Sequence, residues 1–249
     1  MNIKDMFNKL PFYIGNFMAC FVIGSARRAR FRGNVNLFLY KPTIKRLFKT
    51  QLNIKVEKIK FVRQNTLNRV VGIVNNRWYV KIFRKVTNTQ LKNYARLLND
   101  YIAPCLSVNI PKIIVDDRMS MYVCDTVPGR QISTFSKQQI LNNDKNIQSQ
   151  VFNIIKELQM IDVKKIPDYQ IYETGLQSHR PEIIKKPVNV LAHFDLNDGN
   201  LLFDNNMKII SVIDWDAMAI AHSSESDKLR FKKSWDRFIK RLNNKDKNK

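Results

Sequence analysis

The sequence predicts an α+β fold of two lobes, an antiparallel sheet followed by a mainly helical part. Three observations carry that reading. Short runs rich in β-branched and aromatic residues, KIKFVRQ, RVVGIV and RWYVKIF, crowd residues 58–83, the composition that strands favour. Two more such runs lead to Val127-Pro128-Gly129, which breaks the chain. Beyond the break the apolar spacing turns helical, with Ile147, Val151, Ile154, Ile155 and Leu158 at i, i+4, i+7, i+8 and i+11.

Taken in order, residues 1–49 form a basic, partly apolar extension, 50–127 the sheet lobe and 128–249 the helical lobe. Residues 10–25, LPFYIGNFMACFVIGS, carry no charge. Lys4 and Lys9 precede them, and Arg27, Arg28, Arg30 and Arg32 follow. The run is short of the roughly 20 apolar residues of a spanning helix. Arginines where small residues should stand do not suit a signal peptide. Two placements fit: a helix lying in the inner face of a membrane with its arginines on lipid phosphates, or a helix packed on the protein body. Either way the chain reads as cytoplasmic, peripheral to the membrane in the first case.

In the sheet lobe, Asn75-Asn76 between the second and third runs predicts a tight hairpin turn. Leu91, Tyr94, Ala95 and Leu98 predict a helix over 88–101, and KIIVD and SMYVCDTV two further strands. In the helical lobe come VNVLAHFDL, LLFD and KIISVIDWD, the last two joined by Asn205-Asn206 as a small hairpin. Trp235, Phe238, Ile239 and Leu242 mark an amphipathic last helix. Its other face, with Arg230, Lys233, Arg237, Lys240 and Arg241, is either solvated or set against an anion. A cleft between two lobes is a usual ligand site.

Composition narrows the class. Hydrophobic residues make up 44% and the formal charge is +22, which draws the chain toward anions such as phosphorylated substrates or anionic lipid. No nucleic-acid recognition motif accompanies that charge, so nucleic acid is not the expected partner. The three cysteines, Cys20, Cys105 and Cys124, are odd in number and widely spaced, unlike a disulfide framework or a structural zinc site.

The chemistry gathers in HFDLNDGN, His193 to Asn200, and IDWD, Ile213 to Asp216. If the intervening runs pair as a hairpin, Asp195, Asn200 and Asp214 converge at one end of it. A carboxylate and an amide oxygen together make a hard, oxygen-rich magnesium site, and a neighbouring carboxylate can take a proton from a hydroxyl. Lys81 in YVKIF alternates with apolar residues. It either snorkels to the surface or points inward to meet an anion.

These residues resemble the aminoglycoside phosphotransferase and choline kinase group, whose fold is protein-kinase-like. The loop H-x-D-x-x-x-x-N is similar to His193, Asp195 and Asn200, and its I-D-W/F-D/E matches Ile213 to Asp216. Lys81 matches the strand lysine, and Val127 to Arg130 the Pro-Gly-Arg exit. The resemblance covers residues 56–230. It implies an ATP- and Mg²⁺-dependent kinase with Asp195 as base and Asn200 and Asp214 on the metal. Lys81 and Asn68 would lie near the phosphates, and the backbone of Asp125, Thr126 and Val127 near adenine. His193 and Asp216 would support the loop, and Asp227 loosely matches a structural acid. Two features depart from the pattern: no Asp or Glu occurs between Arg84 and Asn99, where Gln90, Asn93 or Tyr94 falls near the expected glutamate, and the phosphate loop Gln64–Asn68 has no glycine.

The expected reaction moves the ATP γ-phosphate to an alcohol hydroxyl of a small molecule or a glycan. The basic leader ARRARFRGNVNLFLYKPTIKRLF looks like those of bacterial surface-polysaccharide enzymes, which favours a lipopolysaccharide or surface-glycan acceptor. A choline, ethanolamine or aminoglycoside kinase and a nucleotide-binding pseudokinase are the alternatives. No D-F-G or A-P-E segment suggests a protein kinase.

Overall fold

The computed structural model describes residues 3–19, 25–62, 69–166, 190–221 and 225–244. The loop Gln64–Asn68, and with it the candidate Asn68, lies outside them, as do His179, His222 and residues 245–249. The chain divides into two compact units, Met1–Ala95 with Lys112–Thr126 and Arg96–Pro111 with Val127–Lys249.

In the first unit, β1 (Ile59–Val62), β2 (Arg69–Val74), β3 (Trp78–Phe83), β4 (Ile113–Val115) and β5 (Met121–Cys124) form one antiparallel sheet in the order β1-β2-β3-β5-β4. The β2–β3 turn runs over Asn75, Asn76 and Arg77 between the paired Val74 and Trp78, with Asn75 and Asn76 left-handed at φ 52° and 56°, as tight hairpin turns favour. Asn75 Oδ1 secures it by accepting from the N–H of Glu57 (2.9 Å) and Lys58 (3.1 Å).

Strand alternation gives the sheet two faces. Val80 and Ile82 stand opposite Val123 and Met121 on one face, and Lys81 stands opposite Tyr122 on the other. Helix α1 (Ile3–Ala19) is followed by α2 (Ser25–Leu47), and α2 covers the first face. Its Leu37, Tyr40, Ile44 and Leu47 recur at helical spacing and join Val70, Val74, Val80, Ile82, Met121 and Val123 in one core. Buried Asp116 anchors the end of α2. Its carboxylate accepts from Arg46 Nη2 at 2.6 Å and from the N–H of Arg118 and Met119, each at 2.8 Å.

Helix α1 rests on α2 through Phe12, Gly15 and Ala19, all buried. A Cβ on Gly15 would stand 2.1 Å from Asn36 Oδ1, so any side chain at this crossing requires the buried Asn36 side chain to move. The opposite side of α1 exposes Leu10, Tyr13, Ile14, Phe17 and Met18. Over the described residues of α1, one side thus packs on α2 and the other is exposed, with the Arg84 guanidinium 5.4 Å from the Tyr13 ring centroid. No helix among the described residues is long and apolar enough to cross a membrane. Helix α3 (Asn88–Arg96) runs on into a wider π-type turn at Leu97–Ile102.

In the second unit β6 (Arg130–Gln131) precedes α4 (Lys137–Asn142) and α5 (Asp144–Gln159). Helix α5 buries Ile147, Val151, Ile154, Ile155 and Leu158, the five positions its spacing singles out. Next come β7 (Val190–Ala192), β8 (Leu201–Phe203), β9 (Ile209–Val212) and β10 (Ala219–Ala221). Strand β7 pairs with β10, and β6, β8 and β9 form a small sheet. The β8–β9 hairpin turns where Asn205-Asn206 predicts. Asp204 Oδ1 accepts there from the N–H of Asn206 (2.8 Å) and Lys208 (2.9 Å). Helix α6 (Glu225–Asn244) closes the unit with Phe231 and Trp235 buried.

Candidate active site

The loop after β7 is shaped by a carboxylate far along the chain. Asp227, in the first turn of α6 and 2% exposed, accepts from the N–H of His193 at 2.7 Å and of Phe194 at 2.8 Å. Those bonds hold Phe194 at φ 56°, a left-handed backbone that disfavours a bulky residue by about 1–2 kcal/mol. His193 is buried and uses both ring nitrogens. Its Nε2–H donates to the Ile213 carbonyl at 3.1 Å, and Nδ1 accepts from the Asp195 N–H at 3.2 Å. Its ring lies 4.5 Å from that of Trp215, whose Nε1–H donates to the Val212 carbonyl at 2.9 Å.

Asp195 follows this brace. Asn200 Nδ2 donates to the Asp195 carbonyl at 2.8 Å and to its Oδ2 at 3.3 Å. Asn197 Nδ2 also donates to that carbonyl, at 2.8 Å. With its NH₂ so engaged, Asn200 leaves Oδ1, which accepts no hydrogen bond among the described residues. The Ile213 N–H donates to the Asn200 carbonyl at 3.0 Å. That bond ties the start of β8 to the end of β9 and brings the next residue, Asp214, to the same end of the hairpin. Asp214 adopts φ 58° and ψ 57° and opens the short turn Trp215–Ala217, in which Asp216 is buried. Among the described residues no group of three or more His, Cys, Asp and Glu stands as metal ligands. The candidate metal pair is instead one amide and one carboxylate.

The remaining candidates belong to the first unit or its border. Lys81 is 7% exposed on the sheet face away from α2, and its Nζ lies 5.7 Å from the ring centroid of Tyr122, within cation–π range. In the helix where a glutamate is expected, Gln90 turns back on its own N-terminus. Its Oε1 accepts from the Thr87 N–H at 2.8 Å and Oγ1 at 3.1 Å. Tyr94 lies 6.4 Å from Tyr122, ring to ring. Asp125 and Thr126 follow β5, and Val127 begins the longer segment of the second unit.

Arg77 Nε donates to Asp125 Oδ1 at 2.8 Å, and its Nη2 pairs with Oδ2. The hydrogen bond from Arg77, helped by the Thr126 N–H (2.7 Å), holds the Asp125 carboxyl below its usual range. A carboxylate whose folded pKa is depressed stabilises the fold above its unfolded pKa of about 4 and loses that contribution as pH falls through the folded value. Arg77→Gln is therefore expected to lower the melting temperature slightly at pH 7, with the difference from wild type vanishing in acid. A thermal-shift series from pH 7 to 3 checks this, and a constant offset at every pH would refute it.

One contact was not foreseen. Arg230 Nη2 on α6 donates to Asp195 Oδ1 at 2.7 Å, whereas the sequence placed Arg230 only on a basic face. A signal did exist: Arg230 lies one turn after Asp227, and residues three apart share a helix side. A helix anchored to residues 193 and 194 by Asp227 thus carries residue 230 toward Asp195.

A scan against protein-family models finds no match, and a search of curated proteins finds no similar sequence. Solved structures do resemble the chain. The GDP and kanamycin complex of APH(2")-IIIa matches over 82% of this chain and 81% of that one, with a TM-score of 0.57 at 14% identity. The streptomycin–ATP–APH(2")-IIa ternary complex matches over 81% and 80%, with a TM-score of 0.56 at 15% identity. Macrolide 2'-phosphotransferase MphH from Brachybacterium faecium matches over 82% of both chains, with a TM-score of 0.53 at 13% identity. At such identities the likeness concerns architecture: the chain has the protein-kinase-like fold of the aminoglycoside and macrolide phosphotransferases.

Proposed function

We propose that the chain is an ATP- and magnesium-dependent phosphotransferase that moves the γ-phosphate to an alcohol hydroxyl of a small molecule or sugar. The observation that supports this most is the Asp195–Asn200 pair, a half-exposed carboxylate locked to an amide (2.8 and 3.3 Å) whose own oxygen is left over. That oxygen and the Asp214 carboxylate are hard donors of the kind magnesium takes. Magnesium held there would neutralise the charge of the transferring phosphate. Asp195 orients the acceptor hydroxyl and takes its proton as the acceptor oxygen bonds to phosphorus and ADP leaves.

Lys81, buried among apolar neighbours, would contact the α- and β-phosphates, with Asn68 of the preceding loop as a second candidate. Adenine would meet the backbone of Asp125 and Val127, the Thr126 N–H being engaged by the Asp125 carboxylate. His193 and Asp216 support the loop. The nucleotide and antibiotic complexes named for the similar structures fit a nucleotide donor and a small-molecule acceptor. The test is ADP release from ATP across amino alcohols, sugars, aminoglycosides and lipopolysaccharide, with an Asp195 variant as control. Nucleotide binding with no turnover of any acceptor would favour a pseudokinase instead.

A peripheral position at an anionic membrane, with a surface glycan or lipopolysaccharide as acceptor, is the finer form of this proposal. Its support is the exposed side of α1, where Leu10, Tyr13, Ile14, Phe17 and Met18 fall at i, i+3, i+4, i+7 and i+8. Such a stripe suits the headgroup boundary of a bilayer. Phe17→Glu is expected to weaken co-sedimentation with anionic vesicles roughly tenfold, from the apolar burial of one large side chain. Equal partition of variant and wild type would remove the membrane from the proposal.

A further inference from the structure

Helix α6 turns a particular side toward Asp195. Arg230, Lys233, Ser234 and Arg237 recur at i, i+3, i+4 and i+7, one stripe of a helix, while Phe231 and Trp235 are buried. With Asp195 and Asn197 these four line a cavity of about 400 Å³, a size that suits a small-molecule acceptor. Three cations face one carboxylate in it, and that carboxylate is already paired with Arg230. Ser234 Oγ is occupied too, donating to Asp198 Oδ1 at 2.7 Å. Arg237 Nε donates to the Lys233 carbonyl at 3.0 Å. Among the described residues, neither the Lys233 ammonium nor the Arg237 guanidinium makes an ion pair. Lys232 and Lys240 lie on the same helix but do not line the cavity, so a solvated basic face accounts for them and not for this cluster.

We infer that the acceptor carries an anionic group, a phosphate or carboxylate, seated on Arg230, Lys233 and Arg237 beside Asp195. The inference rests on the phosphotransferase reading and names its substrate class. Guanidinium and ammonium donors bind such oxyanions through charge-assisted hydrogen bonds. A polycationic acceptor such as kanamycin would meet like charge in this cavity. The Arg230–Asp195 pair gives the anion a second role. By drawing the guanidinium toward itself, it releases Asp195 Oδ1 to receive the hydroxyl hydrogen, so the correct acceptor uncovers the base it needs.

The test measures Asp195-dependent ADP release from ATP with paired acceptors, using the full chain. Glucose is set against glucose 6-phosphate and glycerol against glycerol 3-phosphate. Kanamycin serves as a cationic acceptor and lipopolysaccharide as a lipid-borne phosphorylated one. Each is repeated with the Lys233→Ala/Arg237→Ala variant, and Asp195→Ala is the control. The expected result is a kcat/KM about 10- to 100-fold higher for the phosphorylated member of a pair, the span of hydrogen bonds to charged groups. Most of that preference should lie in KM and disappear in the double variant. Turnover of lipopolysaccharide but not of soluble sugar phosphates assigns the anion to a lipid-borne source, and the reverse to a soluble one. Equal, Asp195-dependent turnover of neutral or cationic acceptors overturns the anion site and leaves the phosphotransferase standing. Absence of Asp195-dependent ADP release with every acceptor overturns the phosphotransferase reading, and the anion site with it.

Discussion

Asp195→Asn is expected to reduce turnover about 10²–10⁴-fold, the usual contribution of a general base, without unfolding the protein. The amide keeps the shape of the carboxylate, and its one oxygen can still accept from Arg230 or from Asn200, but it cannot take a proton. The Asp195 side chain is 30% exposed in its pair with Arg230, and an exposed pair contributes roughly 0–1 kcal/mol. Melting temperature and KM for ATP should therefore stay near wild type while kcat collapses. Full turnover by this variant would remove Asp195 from the reaction.

Asp227→Ala is expected to act in the opposite way, on the fold first. It strips the acceptor from two buried N–H groups, those of His193 and Phe194. Each unsatisfied donor costs about 1–3 kcal/mol, and the cavity left by the side chain adds to this. That is a large share of a typical stability of roughly 5–15 kcal/mol. Urea denaturation should show the loss, and the released Phe194 should relax from its left-handed backbone, displacing Asp195 and lowering activity as well. Asp227→Asn keeps one acceptor oxygen and should fall between the two. A stability within about 0.5 kcal/mol of wild type for the alanine variant would mean the loop is held by something else.

These two residues show where sequence reading reaches. Asp195 was legible because its partner Asn200 is five residues away, within one turn, and the spacing carries the geometry. Asp227 was legible only as a loose match. Its role depends on α6 docking against a loop 33 and 34 residues earlier, and no local pattern encodes that approach. Arg230 was read as one cation of a basic face, because a charge count does not say which cation meets a carboxylate. Lys81 was placed on its strand by alternation, but only the β3–β5 register sets Tyr122 beside it. The role of α2 was not legible either. Its apolar residues are spaced among arginines and lysines, and they read as core only once a sheet lies beneath them.

By itself the sequence determined strands β1 to β5, the β8–β9 hairpin, the buried stripe of α5, both Asn-Asn turns and the spacing of the loop proposed as catalytic. Each of these depends on side-chain period and backbone preference over a few neighbours. The tertiary structure alone decided that Asp227 shapes the loop, that Arg230 covers the proposed base and that Arg230, Lys233 and Arg237 share its cavity. Those arrangements depend on how one packed element meets another many residues away, and the free energy that selects them comes from burial and hydrogen bonding at that meeting.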